Sequence, residues 1–146
     1  MIEPCLIDTV IFVHLVRNDV LVARLLERYL DSDPAAAYCS VCEGEVRSLS
    51  YQLKWGTQKI ERVTHYLKYF RAIPIETPTI METYAMIDTY SRQVGISMGK
   101  NDIWIAATSH VTEYPLLTAD KDFDHLHGKF IQVIRINSKY RPNTQS

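Results

Sequence analysis

Carboxylates recur where the sequence predicts that strands end and helices begin. Apolar segments at 4–7, 36–41 and 115–118 read as strands, and each is followed by acidic residues. These acids are Asp8, then Glu43 and Glu45, then Asp120, Asp122 and Asp124, with Asp102 at a further predicted helix start. Ligands of an open parallel sheet bind beyond the carboxyl ends of its strands, so we expect these side chains to share one edge.

Several carboxylates in one place repel one another unless a cation lies between them. Hard oxygen ligands of this kind select magnesium or manganese. A metal ion lowers the pKa of a bound water and aims it at phosphorus, so phosphodiester hydrolysis needs no nucleophilic side chain. Taken singly, each acid has a structural explanation: Asp8 and Asp102 could cap helices, and Asp120 could form a turn. Their joint placement favours metal-dependent phosphodiester chemistry.

The composition is that of one globular domain. The chain has 146 residues, of which 47% are hydrophobic and 23% charged, a length that can bury a single large core. Sixteen Lys and Arg against 17 Asp and Glu leave a formal charge of −1, so any contact with nucleic acid must be local or carried by a bound metal. No signal-peptide pattern opens the chain and no apolar run reaches the ~18 residues of a membrane span, so we expect a cytoplasmic protein without membrane contact.

Cysteines and closely spaced histidines offer weaker patterns. Cys39 and Cys42 form a C-x-x-C pair, but no second pair completes a tetrahedral zinc site and no thioredoxin-like pattern surrounds them. We therefore expect buried thiols. His125 and His127 have the spacing of surface-loop histidines rather than of a metal-binding pair.

Predicted strands alternate with predicted helices along the whole chain. The strands occupy 4–7, 36–41, 72–75, 115–118 and 130–136, and helices fill the intervals, with Thr79 and Asn101 as caps of the last two. This alternation predicts an α/β fold, a three-layer single domain with a central parallel sheet of about five strands. We expect the domain to span residues 1–136 and a polar tail to occupy 137–146.

Four segments, in this order, resemble the motifs of PIN domains and more closely those of VapC-type toxins. They are Leu6-Ile7-Asp8-Thr9, 40–46, 101–108 and 117–123. The resemblance covers nearly the whole chain. It implies that the catalytic, metal-binding acids are Asp8, Glu45, Asp102 and Asp120. Glu45 follows from the family spacing, five residues after Ser40 and before an aliphatic residue, whereas helical periodicity alone leaves Glu43 and Glu45 as alternatives.

The resemblance also implies an activity and partners. It implies a Mg²⁺- or Mn²⁺-dependent endoribonuclease that cleaves RNA, paired with a small antitoxin protein and forming a homodimer. Asp122 would support the turn after the fourth strand, and Thr9 and Thr118 would orient neighbouring acids or contact a phosphate. Apolar side chains of the first two helices could line an antitoxin groove, among them Phe12, Leu15 and Leu21, but most such positions are typical of a buried core.

Other functional classes fit the sequence less well. A catalytically silent PIN-fold scaffold that binds RNA or protein is the main alternative, because a fold does not determine a function, but all four acids are present. A haloacid-dehalogenase-like phosphatase needs a second Asp where this chain has Val10. A receiver-like module needs an acceptor Asp at the end of the third strand, and 75–77 offers none.

Overall fold

A computed structural model of the protein describes residues 4–30 and 36–136 and centres on a sheet of five parallel strands. The strands are β1 (Cys5–Ile7), β2 (Ala36–Cys39), β3 (Arg71–Ile73), β4 (Leu116–Thr118) and β5 (Val133–Arg135), in the order β3-β2-β1-β4-β5. The chain runs outward from β1 to β3 and then crosses back to add β4 on the other side of β1. The carboxyl ends of β1 and β4 therefore meet where the strand order reverses, which is where such sheets bind ligands.

The connections between strands are helical. The helices are α1 (Thr9–Val16), α2 (Val20–Leu30), α3 (Val41–Gln52), α4 (Thr57–Tyr69), α5 (Pro78–Gln93) and α6 (Lys100–Thr112), and a 3₁₀ helix (Lys121–Leu126) follows β4. The path from β1 to β3 and the path from β3 to β4 run in opposite directions, so right-handed crossovers place their helices on opposite faces of the sheet. The predicted three-layer α/β fold is confirmed. The predicted tail at 137–146 lies outside the described residues.

The core forms around β1 and the helix that follows it. All three residues of β1 and all eight residues of α1 are buried, as expected for a central strand covered on both faces. The Phe12 ring of α1 meets the rings of Tyr38 and Phe70 edge-on, with centroids 5.2 and 5.9 Å away. This packing fixes the junction between β1 and α1, where Asp8 lies.

The three cysteines of the chain are buried and form no disulfide bond, as predicted. Within the described ranges, no helix combines the length and apolarity needed to cross a membrane.

The second predicted strand was two residues too long. Ser40 already has helical backbone angles, with φ −56° and ψ −26°, so β2 ends at Cys39 and α3 begins at Val41. The Glu43 backbone N–H donates to the Ser40 carbonyl at 3.2 Å. Both candidate glutamates are therefore helical, and their side chains point in directions set by α3.

Two predicted helix caps were wrong by two residues. Thr77, not Thr79, caps α5, because its extended backbone lets Oγ1 accept from the Ile80 N–H at 3.2 Å. Gly99, not Asn101, precedes α6, and it makes no side-chain cap bond. Asn101 and Asp102 consequently lie inside the first turn of α6.

Candidate metal centre

Asp8 is a buried carboxylate at the carboxyl end of β1, with 6% of its surface exposed. As the N-cap of α1, it accepts at Oδ1 from the Thr9 N–H at 2.7 Å, and at Oδ2 it accepts from the Thr118 hydroxyl at 2.7 Å. Burial raises the pKa of Asp8 to about 6, against the lowering effect of these two hydrogen bonds, and the charges of Glu45 and Asp120 raise it further. Asp8 is thus held rigidly in a negative environment.

Glu45 extends from the second turn of α3 toward Asp8. Its Oε1 accepts a 2.6 Å hydrogen bond from the Thr9 hydroxyl, so one threonine connects two acids through its backbone and its side chain. Glu43 lies two positions earlier, and residues two apart on a helix do not face the same side. It accepts instead from Arg47 Nε at 2.9 Å and has 44% of its side chain exposed. The structure therefore places Glu45, and not Glu43, beside Asp8.

Asp102 reaches the same place from the first turn of α6. Burial raises its pKa to about 8, with further contributions from the negative charges of Asp8, Asp120, Glu45 and Asp122. A carboxylate in this condition binds a proton near neutral pH unless a cation compensates the surrounding charge.

Asp120 and Asp122 follow β4. Asp120 caps the 3₁₀ helix, accepting from the Asp122 N–H at 3.0 Å, and its own N–H donates to Thr118 Oγ1 at 3.0 Å. Asp102, Asp120 and Asp122 each offer a carboxylate oxygen, and these oxygens lie within 4.8 Å of one another. Burial, and after it the negative charge of Asp120, raises the pKa of Asp122. The sequence analysis expected Asp122 only to support a turn, whereas the structure places its carboxylate beside those of Asp102 and Asp120.

These acids line one cleft of about 930 Å³ at the carboxyl edge of the sheet. We refer to the four predicted side chains, Asp8, Glu45, Asp102 and Asp120, as the acid cluster. All four line this cleft, together with Asp122. They are hard oxygen donors, and burial together with neighbouring negative charge raises the pKa of Asp8 and that of Asp102. The set therefore fits a divalent cation such as magnesium or manganese.

Other side chains that the sequence analysis did not assign also line the cleft. Ser48, Leu49 and Gln52 come from α3, Asn101 from α6 and Lys121 from the 3₁₀ helix. A sequence pattern could have found the α3 residues, because they follow Glu45 by three, four and seven positions and so share its helix face. Asn101 and Lys121 are sequence neighbours of acids in the cluster.

The cysteines Cys39 and Cys42 and the histidines His125 and His127 have structural roles outside the acid cluster. Burial raises the pKa of the Cys39 thiol and raises that of Cys42 well above its usual value, which disfavours the thiolate that a nucleophile or a metal ligand requires. His127 Nδ1 accepts from the Val133 N–H at 2.9 Å, while His125 Nε2 lies 2.8 Å from the Ser91 hydroxyl. The two histidines thus have separate partners.

Comparison with known proteins assigns the chain to a family and a fold. The PIN domain model matches residues 5–129, and no curated protein sequence matches the chain. The structure of VapBC2 from Rickettsia felis, bound to a DNA fragment from its promoter, has a chain similar at TM-score 0.75 and 18% identity, covering 91% of this chain and 98% of that one. VapBC-5 from Mycobacterium tuberculosis, a member of the VapBC family of toxin-antitoxin systems, reaches TM-score 0.69 and 22% identity over 92% and 99% of the chains. FitAcB from Neisseria gonorrhoeae reaches 0.68 and 25% over 81% and 88%.

Proposed function

The chain belongs to the PIN domain family, and from this premise we propose that it is a metal-dependent endoribonuclease that hydrolyses RNA phosphodiester bonds. The observation that carries the proposal is the meeting of the acid cluster in one cleft, although its members come from four different segments of the chain. Asp102 supports the proposal further, because burial, together with the negative charges of its neighbours, raises its pKa to about 8, and strongly perturbed carboxylates are common at functional sites.

The donor set supports magnesium or manganese as the cofactor, held by the acid cluster. When bound, such an ion supplies Lewis acidity, lowering the pKa of water and offsetting the charge of a phosphate. The protein contributes rigidity: Thr118 holds the Asp8 carboxylate and Thr9 holds that of Glu45. The bond from Thr118 to Asp8 is buried, whereas Thr9 and Glu45 line the cleft. Both hydrogen bonds orient the acids, as partners of metal ligands do.

The rim of the cleft supports an RNA substrate. Lys121 and Asn101 line it and carry N–H donors suited to phosphate or sugar oxygens. The buried thiols do not line the cleft. Thr9 and Ser48 do, but among the described residues no histidine lines the cleft to activate their hydroxyls, which supports water as the nucleophile.

We also propose a small antitoxin protein as partner, supported by the similarity to a VapBC toxin-antitoxin protein. Phe12 and Leu15 are 0% and 2% exposed, so they belong to the core and do not line a groove. Val20 and Leu21 of α2 and Ile60 of α4 are exposed by 64%, 71% and 45% and offer the apolar surface that such a partner could cover. A homodimer is proposed from the family resemblance alone, and the cytoplasmic location expected from the sequence is kept as a proposal.

Cleavage of a fluorescent RNA by the purified protein tests the proposed activity. We expect cleavage with manganese or magnesium, none in excess EDTA, and a loss of about 100-fold in Asp8→Asn, which removes a charged ligand while keeping the shape. Asp88→Asn is the matched control, since Asp88 makes a surface ion pair with Arg92 on α5, away from the cleft. Undiminished cleavage in EDTA would contradict the proposal, and RNA binding without cleavage under every metal condition would indicate a silent scaffold.

A further inference from the structure

The cleft has two side walls, and a cationic side chain is present on only one of them among the described lining residues. One wall is α3, which follows β2, and the other is the 3₁₀ helix Lys121–Leu126, which follows β4. Because β2 and β4 flank β1 on opposite sides, Asp8 at the end of β1 lies on the floor between them. Adjacent strands are about 4.8 Å apart, and β2 and β4 are two strand spacings apart. The two walls are therefore separated by roughly 10 Å at the sheet edge.

The α3 wall presents a neutral polar pair beyond Glu45. Ser48 and Gln52 lie on the helix face that lines the cleft, and the rise of the helix places Gln52 about 10 Å along the axis from Glu45. Gln52 Nε2 donates to Ser48 Oγ at 2.9 Å. An amide carries two N–H donors and one acceptor oxygen, so this bond orients the group and, within the described residues, leaves one donor beside one acceptor for a ligand.

The opposite wall carries a lysine, Lys121, between Asp120 and Asp122. Among the side chains that the structure describes as lining the cleft, Lys121 is the one cation. Arg47, a cationic residue of α3, is paired with Glu43 and does not line the cleft. A phosphate beside α3 would have no cationic side chain of that helix as a partner in the cleft. A nucleobase is neutral and can use both the amide edge of Gln52 and the apolar side chain of Leu49.

From this asymmetry we infer that Gln52, oriented by Ser48, reads a nucleobase next to the cleaved bond, while Lys121 contacts a backbone phosphate on the other side. The inference rests on the proposed ribonuclease activity and adds to it a determinant of base specificity. The amide donor and acceptor match a base edge that presents an acceptor beside a donor, as adenine does at N7 and N6.

Sequencing of RNA ends after cleavage of a library with a randomised segment tests this inference. With manganese present, we expect wild type to prefer one base at a position adjacent to the cut. Gln52→Ala should reduce that preference by about tenfold, a change within the range for loss of a good bidentate base contact, and Ser48→Ala should reduce it less. Gln58→Ala, an exposed glutamine on α4, is the control and should keep the wild-type preference.

Each other outcome has a distinct meaning. An unchanged preference in Gln52→Ala, an equal loss of cleavage at all four bases, or a wild type without base preference overturns the inference and leaves the ribonuclease proposal standing. A wild type that does not cleave the library overturns the ribonuclease proposal, and the inference with it. The side chains of Ser48, Gln52 and Gln58 are all exposed. The melting curves of the three variants should therefore match that of wild type, which separates a change of specificity from unfolding.

Discussion

The hydroxyl of Thr118 donates a 2.7 Å hydrogen bond to Oδ2 of Asp8. It joins the carboxyl ends of β4 and β1, the two strands that meet where the strand order reverses. The hydroxyl oxygen of Thr118 in turn accepts a hydrogen bond from the Asp120 backbone N–H at 3.0 Å. Since Thr118 is fully buried, one hydroxyl shielded from water fixes two members of the acid cluster relative to each other.

Removal of this hydroxyl should weaken metal binding. We expect Thr118→Val, which keeps the branched shape, to lower Mn²⁺ affinity or cleavage by about 10- to 100-fold, the usual effect of losing a partner of a metal ligand. Thr118→Ser keeps the hydroxyl and should stay much closer to wild type. Cleavage rates over a manganese titration provide the measurement, and a Thr118→Val protein with the wild-type manganese dependence would refute the positioning role.

The two glutamates of α3 should differ sharply in their effect on activity. Glu45→Gln removes a charge from the cleft, so we expect a loss of about 100-fold in cleavage. Glu43→Gln disrupts an exposed i,i+4 pair with Arg47, an interaction that contributes little to stability, and should leave cleavage close to wild type. Parallel rate measurements decide between them: equal losses, or the reverse order, would remove Glu45 from the proposed metal site.

The stability of the metal-free protein should depend on pH through the acid cluster. Folding raises the pKa of Asp8 from 3.8 to about 6 and that of Asp102 from 3.8 to about 8. The folded chain therefore binds more protons than the unfolded chain between pH 3.8 and about 8, and stability falls as the pH rises through this window. The contribution is fully present below pH 3.8 and is lost above about pH 8.

Thermal melts in EDTA over this pH range, for wild type and Asp102→Asn, measure the effect. The variant should gain stability relative to wild type as the pH rises, because it cannot develop the unfavourable charge. The comparison cancels the opposing contribution of His14, whose pKa is lowered by burial. A stability difference between Asp102→Asn and wild type that is constant with pH, or that changes in the other direction, would contradict a raised pKa of Asp102 in the folded protein.

Lys121 should contribute to affinity without contributing to base choice. A lysine that contacts a phosphate releases counterions when RNA binds, so Lys121→Met should weaken RNA binding for all sequences alike and reduce the magnitude of the salt slope by about 0.7, the single-strand value for one phosphate contact. Binding to an RNA series over a range of salt concentrations, with an acid-cluster variant to prevent cleavage, provides the measurement. Lys129→Met is the matched control, since Lys129 is exposed and does not line the cleft. An unchanged slope in Lys121→Met would place the phosphate elsewhere.

The sequence alone determined the class of fold and the positions at which acids follow strands. Both features are local. A buried strand is recognised as a continuous apolar run, and the residue that ends it can be identified without knowing which strands lie beside it in the sheet. The choice of Glu45 over Glu43 came from the spacing within a family, and its role as a metal ligand stays a prediction. Helix starts were less predictable, since Thr77 and Gly99 precede their helices for reasons of backbone angle that composition does not show.

Only the tertiary structure decided which side chains share the cleft. Thr118 and Asp8 are 110 positions apart, and their contact depends on β4 being laid beside β1 rather than at an edge of the sheet. The same strand order places Ser48 and Gln52 of α3 opposite Lys121 and buries Phe12 and Leu15 in the core. Periodicity reports which face of one element is apolar, but strand order and helix packing set which faces meet, and these arise from contacts between distant parts of the chain.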